Sequence, residues 1–174
     1  MSDQHPPIVV MGVSGCGKST DGLDIALALG RAFVDADDLH PLANKAKMAA
    51  GNPLDDDDRW PWLDIVGDAL ALRDEDGVPA VVACSALKRV YRDRLRAKAP
   101  DTVCVLRDGS RELLRSRIGP RAHEFMPAAL LDSQLATLEI LERDEDGVVV
   151  DIAPPPLEVR VNALTGIRQL LLVK

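Results

Sequence analysis

The sequence lacks long apolar runs, an export signal and an excess of positive charge, and each absence excludes a class of protein. No apolar run reaches the roughly 20 residues that a helix needs to cross a bilayer, so we expect no membrane association. The first seven residues carry neither a basic stretch nor a small-residue cleavage site, so nothing signals export. The net charge of −7 argues against nucleic acid as a partner.

Cysteine is also scarce. Cys16, Cys84 and Cys104 form an odd set without metal-ligand spacing. Cys84 and Cys104 lie in apolar, strand-like runs, so we expect both to be small core residues. All three suit a reducing cytoplasm, where we predict that the protein resides. At 174 residues, 47% of them hydrophobic, the chain is predicted to be one domain, residues 1–174, whose core needs no disulfide.

Short apolar runs alternate with stretches of helical periodicity along the chain. Strands are predicted at residues 8–13, 32–35, 79–84, 102–106 and 148–152. Helices are predicted at residues 18–29, 41–50, 59–72, 89–98, 111–117, 127–141 and about 157–172. The strand runs are almost continuously apolar, which is typical of strands buried on both faces. We therefore predict an α/β fold with a doubly wound parallel sheet.

The most informative segment lies between the first strand and the first helix. Residues 12–19 read G-V-S-G-C-G-K-S and match the phosphate-loop pattern G-x-x-x-x-G-K-[ST]. Its glycines let backbone N–H groups turn inward around a phosphate, and the following helix adds its positive dipole end. Lys18 would reach the β- and γ-phosphates, and the Ser19 hydroxyl would ligate Mg²⁺. The predicted nucleoside triphosphate contacts are Gly12, Val13, Ser14, Gly15, Cys16, Gly17, Lys18, Ser19 and Thr20.

Acidic residues follow the second predicted strand, in the segment D-A-D-D-L-H at residues 35–40. Carboxylates at the carboxyl end of a parallel strand face the phosphate loop, where they can hold Mg²⁺ and orient an acceptor hydroxyl. Alternatively, Asp38 serves only to cap the helix predicted at Pro41. Residues 55–58 are four aspartates that can cap the next helix. Residues 84–89 close the third strand and also point at the cleft.

A phosphate loop also occurs in nucleotide-dependent switch proteins, which form a different functional class. Such a switch needs N-K-x-D late in the chain and D-x-x-G at the end of a strand. Residues 44–47 read N-K-A-K, which fails at the last position and comes too early. The D-x-x-G matches at Asp64, Asp74 and Asp144 fall in a predicted helix and two predicted turns. The sequence therefore favours a phosphotransferase.

Two other patterns have structural interpretations. The string R-D-E-D-G-V occurs at residues 73–78 and again at residues 143–148, and we interpret both copies as glycine-containing turns from a helix to a strand. Residues 88–121 hold eleven Lys and Arg against four Asp and Glu. Within this window we expect a solvated basic face at Arg94, Arg96 and Lys98, and anion handling by the arginines nearer Arg121.

Taken in order, the motifs resemble those of the gluconate kinase family. They are G-V-S-G-C-G-K-S-T, D-A-D-D-L-H-P, N-x-x-K-M, G-N-P-L-D-D-D-D-R, P-W-L, C-S-A-L-K-R-x-Y-R-D and F-M-P-x-x-L-L-x-S-Q-x-x-T-L-E, between residues 12 and 139. The resemblance implies a three-layer αβα P-loop kinase fold with a five-stranded parallel sheet and a mobile lid, similar to shikimate kinase and the nucleoside monophosphate kinases. It also implies transfer of the ATP γ-phosphoryl group to the 6-hydroxyl of D-gluconate, with Mg²⁺, by a homodimer. A shikimate kinase is the nearest alternative, but it gives no reason for the C-S-A-L-K and F-M-P-x-x-L-L-x-S-Q strings.

The resemblance also implies roles for individual residues. Asp37 matches the substrate-side aspartate, which would hold the acceptor hydroxyl and accept its proton. Asp35 would reach Mg²⁺ through water. Arg59 is the candidate for the gluconate carboxylate, because a guanidinium forks onto a carboxylate; alternatively, it pairs with the aspartates that precede it. His40 and Lys88 would hydrogen-bond the polyol or the phosphate.

A lid at about residues 115–126 is the remaining implication of the resemblance. Its arginines, Arg117 and Arg121, would act as catalytic cations alongside Lys18, and its closure would exclude water. Two positions depart from the family pattern. Glu124 stands where the family has a histidine, and residues 140–142 replace the usual proline after T-L-E. A carboxylate at Glu124, near anionic ligands, would weaken binding.

Overall fold

One parallel sheet organises the protein. The computed structural model describes residues 5–118 and 128–173. Within them the strands are Ile8–Met11 (β1), Phe33–Asp35 (β2), Val81–Ala83 (β3), Val103–Asp108 (β4) and Gly147–Asp151 (β5). Their order in the sheet is β2-β3-β1-β4-β5, and every neighbouring pair is parallel. The predicted five-stranded parallel sheet is confirmed.

Helices cover both faces of this sheet. In the described part of the chain they are Lys18–Leu29 (α1), Leu42–Ala49 (α2), Asp56–Ala71 (α3), Arg89–Lys98 (α4), Arg111–Ile118 (α5), Ala128–Thr137 (α6) and Pro156–Val173 (α7). A 3-10 turn, Ala36–Leu39, follows β2. Among these described helices, none combines the length and apolar character needed to span a bilayer.

The alternation of side chains along β1 creates two separate cores. Ile8 and Val10 join a cluster that includes residues of α1 and α7, whereas Val9 and Met11 join a cluster with residues of α3 and α4. Successive strand residues point to opposite faces, so a central strand covered on both sides must be apolar throughout. All four residues of β1 are fully buried. This arrangement is the predicted three-layer αβα architecture.

The main differences from the predicted boundaries lie at helix ends. Helix α3 begins earlier than predicted because the side chains of Asp55 and Asp58 each accept the other's backbone N–H in a capping box. Asp35, not Asp38, caps the 3-10 turn by accepting the Asp37 N–H at 3.0 Å. The expectation that Asp38 caps the next helix is wrong, because α2 begins after Pro41 without a side-chain cap.

Buried ion pairing distinguishes the two copies of the R-D-E-D-G-V string. Both copies are turns, as predicted, but Glu75 is exposed while Glu145 is buried. The Glu145 carboxylate accepts from Arg92 at 2.6 and 2.8 Å and from Arg96 at 2.8 Å. The solvated face predicted for α4 is therefore wrong for Arg96, whose side chain is only 17% exposed. Its neighbours Arg94 and Lys98 are more exposed and pair with α3.

Besides pairing with Glu145, Arg92 joins three separate parts of the chain. Its guanidinium also donates to the carbonyl oxygens of Leu87 at 3.2 Å and Glu139 at 3.0 Å. The Glu139 N–H in turn donates to the Leu87 carbonyl at 2.8 Å. The segment that closes β3, the segment after α6 and the turn before β5 therefore meet at one buried arginine.

We predict that Glu145→Gln lowers the free energy of unfolding by about 3 kcal/mol, because it leaves the buried Arg92 guanidinium without a countercharge. Burial opposes ionisation of Glu145, but hydrogen bonds from Arg92, the Glu142 N–H and Arg96 lower its pKa to about 2. Since this pKa lies below the ordinary value, the contribution is present above about pH 4.5 and is lost as the pH falls toward 2. Urea unfolding over this pH range measures it.

Glu75→Gln is the matched control, since it makes the same change in the same local sequence at an exposed site. It should leave both the stability and its acid dependence unchanged. Equal effects of the two substitutions would contradict a stabilising role for the buried pair.

Candidate active site

The phosphate loop joins β1 to α1 and has the conformation that its glycines permit. Gly12, Gly15 and Gly17 have φ angles of 143°, 80° and 88°, which side-chain-bearing residues rarely adopt. Gly17 is also the N-cap of α1, and no side chain caps this helix. No capping side chain therefore competes with an anion for the N–H groups at this helix start.

Three contacts fix the loop from different parts of the fold. The Gly12 N–H donates to the Ser85 carbonyl, just beyond β3, at 3.3 Å. The Ser14 N–H donates to the Gln134 side-chain oxygen, on α6, at 2.7 Å. The Lys18 ammonium donates back to the Val13 carbonyl at 3.2 Å, so its charge already lies over the loop. Gln134 belongs to the F-M-P-x-x-L-L-x-S-Q string, but no local pattern in the sequence indicates its contact with the loop.

An ion pair lies directly beneath the loop. Arg107 of β4 is 2% exposed and pairs with Asp21, in the first turn of α1. Burial raises the pKa of Asp21 and lowers that of Arg107, so each charge depends on the other. Among the described residues, the Arg107 Nε and one terminal nitrogen are the enclosed side-chain atoms that lack a hydrogen-bond partner. This pair ties the start of the phosphate-loop helix to the sheet.

The acidic edge predicted after β2 does meet the phosphate loop. The Ser19 hydroxyl donates to the Asp35 carboxylate at 2.5 Å, and the other oxygen of Asp35 accepts the Asp37 N–H. Asp37 is an exposed residue of this turn, although the neighbouring fold shields part of its carboxylate from water. Loss of surrounding water and the adjacent charge of Asp35 raise the pKa of Asp37, whereas Lys18 lowers it. A carboxylate beside the loop and shifted toward neutrality can accept a proton.

The residues present fit a magnesium ion that is held mainly by phosphates. Ser19 and Asp35 supply two hard oxygen ligands at one point. In residues 5–118 and 128–173, no cluster of three or more acidic, histidine or cysteine side chains forms an all-protein metal cage. Mg²⁺ commonly binds through one or two protein oxygens, water and substrate phosphates. Ser19 and Asp35 match that requirement.

A second group of charges surrounds Tyr91. The Lys88 ammonium donates to both oxygens of Asp56, at 3.0 and 3.1 Å, and the Tyr91 hydroxyl donates to the same carboxylate. The Arg59 guanidinium lies 5.8 Å from the centre of the Tyr91 ring and donates to the Leu54 carbonyl. Among the described residues Arg59 forms no direct ion pair with the aspartates that precede it. Its charge nevertheless helps to lower the pKa of Asp56, after the hydrogen bonds from Tyr91 and Lys88. Within residues 5–118 and 128–173 no carboxylate therefore forms an ion pair with the Arg59 guanidinium.

The predicted lid is described only at its beginning. Arg117, near the end of α5, donates to the Ile152 carbonyl at 2.7 Å. The next residue, Ile118, packs against Gly15 of the phosphate loop so closely that a Cβ at Gly15 would lie 2.7 Å from it. Earlier on α5, Arg111 and Arg115 both pair with Asp132. Arg121 and Glu124 lie outside the described residues.

Comparison with known proteins places this site in a family. A family model described as an AAA domain matches residues 8–141. A probable gluconokinase from Xenopus tropicalis is 41% identical to the chain over 96% of each sequence. The chain belongs to the gluconokinase family. A solved gluconokinase structure from Sinorhizobium meliloti 1021 is 48% identical, covers 95% of this chain and 93% of its own, and superposes with a TM-score of 0.87.

More distant similarity extends the fold beyond gluconokinases. A shikimate kinase from Acinetobacter baumannii, solved with shikimate, has a TM-score of 0.59 at 20% identity and covers 98% of this chain. At that identity the likeness concerns the fold alone. The predicted P-loop kinase fold and its similarity to shikimate kinase are confirmed.

We predict that Asp21→Asn lowers the free energy of unfolding by about 3–5 kcal/mol, because Arg107 then keeps a buried charge without a partner. Adding Arg107→Met to this variant should recover much of the loss. Thermal and denaturant unfolding measure both effects.

Asp24→Asn is the control, since Asp24 lies on the same helix and makes only a partly exposed pair with Arg160 at 3.4 Å. It should change stability by less than about 1 kcal/mol. A loss for Asp21→Asn as small as that for Asp24→Asn would contradict this account of the buried pair.

Proposed function

We propose that the protein transfers the γ-phosphoryl group of ATP to the 6-hydroxyl of D-gluconate, giving 6-phospho-D-gluconate and ADP. The observation that carries the proposal is the junction of Ser19, Asp35 and Asp37, which joins the nucleotide side of the site to an accessible carboxylate. Membership of the gluconokinase family supports gluconate as the acceptor. The uncapped start of α1 supports binding of the triphosphate.

On the nucleotide side the protein supplies mainly position and charge. Phosphoryl transfer is accelerated by alignment of the reacting groups and stabilisation of the charge on the moving phosphoryl group. Residues 12–20 would hold the phosphates through those N–H groups that are not already bonded within the protein, as the N–H groups of Gly12 and Ser14 are. Lys18 would exchange its bond to Val13 for one to the β- and γ-phosphates. Ser19 and Asp35 would hold Mg²⁺, which when bound neutralises phosphate charge.

On the acceptor side Asp37 is proposed as the base. The gluconate O6 forms a bond to the γ-phosphorus while the bond from that phosphorus to the β-phosphate oxygen breaks. The proton of the 6-hydroxyl passes to the Asp37 carboxylate. A raised pKa suits this role, because a base works best when its pKa approaches the working pH.

The gluconate carboxylate is proposed to bind Arg59. Among the described residues Arg59 makes no salt bridge, and one of its terminal nitrogens donates to the Leu54 carbonyl. Its remaining N–H donors are available to a carboxylate, and the Tyr91 ring lies on one side of the guanidinium. Lys88 is already paired with Asp56, so we propose that it contacts the polyol while keeping that pair. His40 is proposed as a third contact to the acceptor.

The remaining proposals concern the chain as a whole. We propose that residues 1–174 act as one P-loop kinase domain, with a lid at about residues 115–126 that brings Arg117 and Arg121 to the phosphates. Arg117 would then leave the Ile152 carbonyl. A homodimer in the cytoplasm stays a prediction from composition and family resemblance.

The test is acceptor-dependent release of ADP from Mg-ATP. D-gluconate, shikimate and a nucleoside monophosphate are supplied in parallel, because the last two represent other kinases of related fold. We expect gluconate alone to stimulate release. Stimulation by shikimate but not gluconate would favour the shikimate-kinase-like alternative, and release indifferent to every acceptor would overturn the acceptor assignment while leaving nucleotide binding intact.

We predict that Asp37→Asn lowers kcat by about 10²–10⁴-fold while changing ATP affinity little, because it removes the proton acceptor but no phosphate contact. Steady-state kinetics and equilibrium nucleotide binding separate the two quantities. Asp38→Asn is the control, since it makes the same change at the next, exposed position. Near-normal turnover by Asp37→Asn would show that Asp37 is not the base.

A further inference from the structure

His40 is held rigidly at the end of the turn that carries Asp37. Its ring stacks on the Trp62 indole with a centroid distance of 4.1 Å and an interplanar angle of 14°. The Trp62 N–H donates at 2.8 Å to the carbonyl of Ala36, in the same turn. His40 itself is 8% exposed. The orientation of its imidazole is therefore fixed relative to Asp37.

Asn44 determines which nitrogen of His40 carries the proton. The Asn44 side-chain nitrogen lies 2.8 Å from the Asp58 carbonyl oxygen and 3.3 Å from His40 Nδ1. A carbonyl oxygen can only accept, so the Asn44 atom that faces both groups is the amide NH₂. This group has two hydrogens, one for each neighbour. His40 Nδ1 therefore accepts a hydrogen bond, and the proton of the neutral ring is on Nε2.

The charges around His40 keep the ring neutral. Burial, Arg59 on α3 and Lys45 on α2 lower the pKa of His40 to about 4. The carboxylate of Asp58 does not offset these positive charges, because it already accepts hydrogen bonds from Lys47 and from the Asp55 N–H. Asp37 and Asp38 precede His40 on the turn. Because the pKa of His40 lies well below neutrality, its imidazole is uncharged throughout the neutral pH range.

The other ring nitrogen of His40, Nε2, has no hydrogen-bond partner in the part of the chain that the structure describes. It is also not one of the enclosed, unpartnered side-chain atoms of the described residues. The nitrogen therefore meets solvent, next to the turn of Asp37. Its N–H is a donor that an oxygen of a bound molecule can occupy.

We propose that Asn44 is a positioning residue that fixes His40 as a neutral Nε2–H donor to a hydroxyl oxygen of the acceptor substrate. The identity of that acceptor rests on the proposed function. A neutral donor adds no charge beside Arg59, so the acceptor carboxylate keeps a single cationic partner. The sequence leaves two partners open for His40, the polyol and the phosphate. A neutral donor favours an uncharged hydroxyl of the polyol over the phosphate.

The first experiment needs no substrate. Nitrogen-15-labelled protein is studied by two-bond proton–nitrogen NMR, and His40→Gln identifies the signals of His40 among those of His5 and His123. We expect Nδ1 to be unprotonated and Nε2 protonated, without change between about pH 5 and 8. A proton on Nδ1, or titration near the ordinary histidine pKa, would overturn the proposal.

The second experiment uses Asn44→Asp. A carboxylate at this position accepts from Nδ1–H and raises the pKa of His40, so Nε2 loses its proton as the pH rises through the new pKa. We expect the gluconate KM of this variant to rise about tenfold across that transition, which is the loss of one hydrogen bond, while kcat and the ATP KM change little. The wild-type KM should show no such transition.

Asn162→Asp is the matched control, because it makes the same change on the exposed side of α7. Its profile should follow that of the wild type. Parallel KM profiles for Asn44→Asp and the wild type would overturn the contact between His40 and the acceptor. A wild-type protein that does not phosphorylate gluconate would refute the proposed function instead, and the NMR result on the free protein would still decide the tautomer.

Discussion

The central place of β1 in the sheet determines where the functional side chains lie. Because β1 is flanked by the parallel strands β3 and β4, the phosphate loop leaves it at an edge that all five strands share. The loop therefore contacts the Ser85 carbonyl beyond β3 and lies above Arg107 of β4. Strand β2 ends at the same edge, which brings Asp35 to the Ser19 hydroxyl. The phosphate loop and the carboxylates that follow β2 thus meet at one edge of the sheet.

Charge pairing within the fold separates structural arginines from those that remain available to ligands. Arg92 and Arg107 are buried, and each has a carboxylate from a distant part of the chain. Arg111 and Arg115 share Asp132 on the surface. Within the described residues Arg59 has no such partner. In the strongly basic window of residues 88–121, nine of the ten described cations pair with carboxylates and Arg117 bonds to a carbonyl oxygen, so most of this positive charge is neutralised within the fold.

Local sequence patterns predicted the helices and strands well, whereas contacts between residues far apart in the chain could be seen only in the folded structure. The bounds of α1 and α4 agree with prediction because glycine punctuation and helical periodicity are properties of neighbouring residues. The contacts of Ser14 with Gln134, Asp21 with Arg107 and Arg92 with Glu145 join residues 120, 86 and 53 positions apart. No local pattern specifies such partners. The two R-D-E-D-G-V copies show the same limit, since identical sequence gives a buried glutamate in one place and an exposed one in the other.

The most direct test of this account is the identity of the atom that receives the phosphoryl group. Carbon-13-labelled D-gluconate is incubated with the protein and Mg-ATP, and the product is examined by phosphorus and carbon NMR. We predict a single phosphate ester whose phosphorus couples to C6 of gluconate. An ester at another oxygen, or inorganic phosphate in place of an ester, would contradict the account.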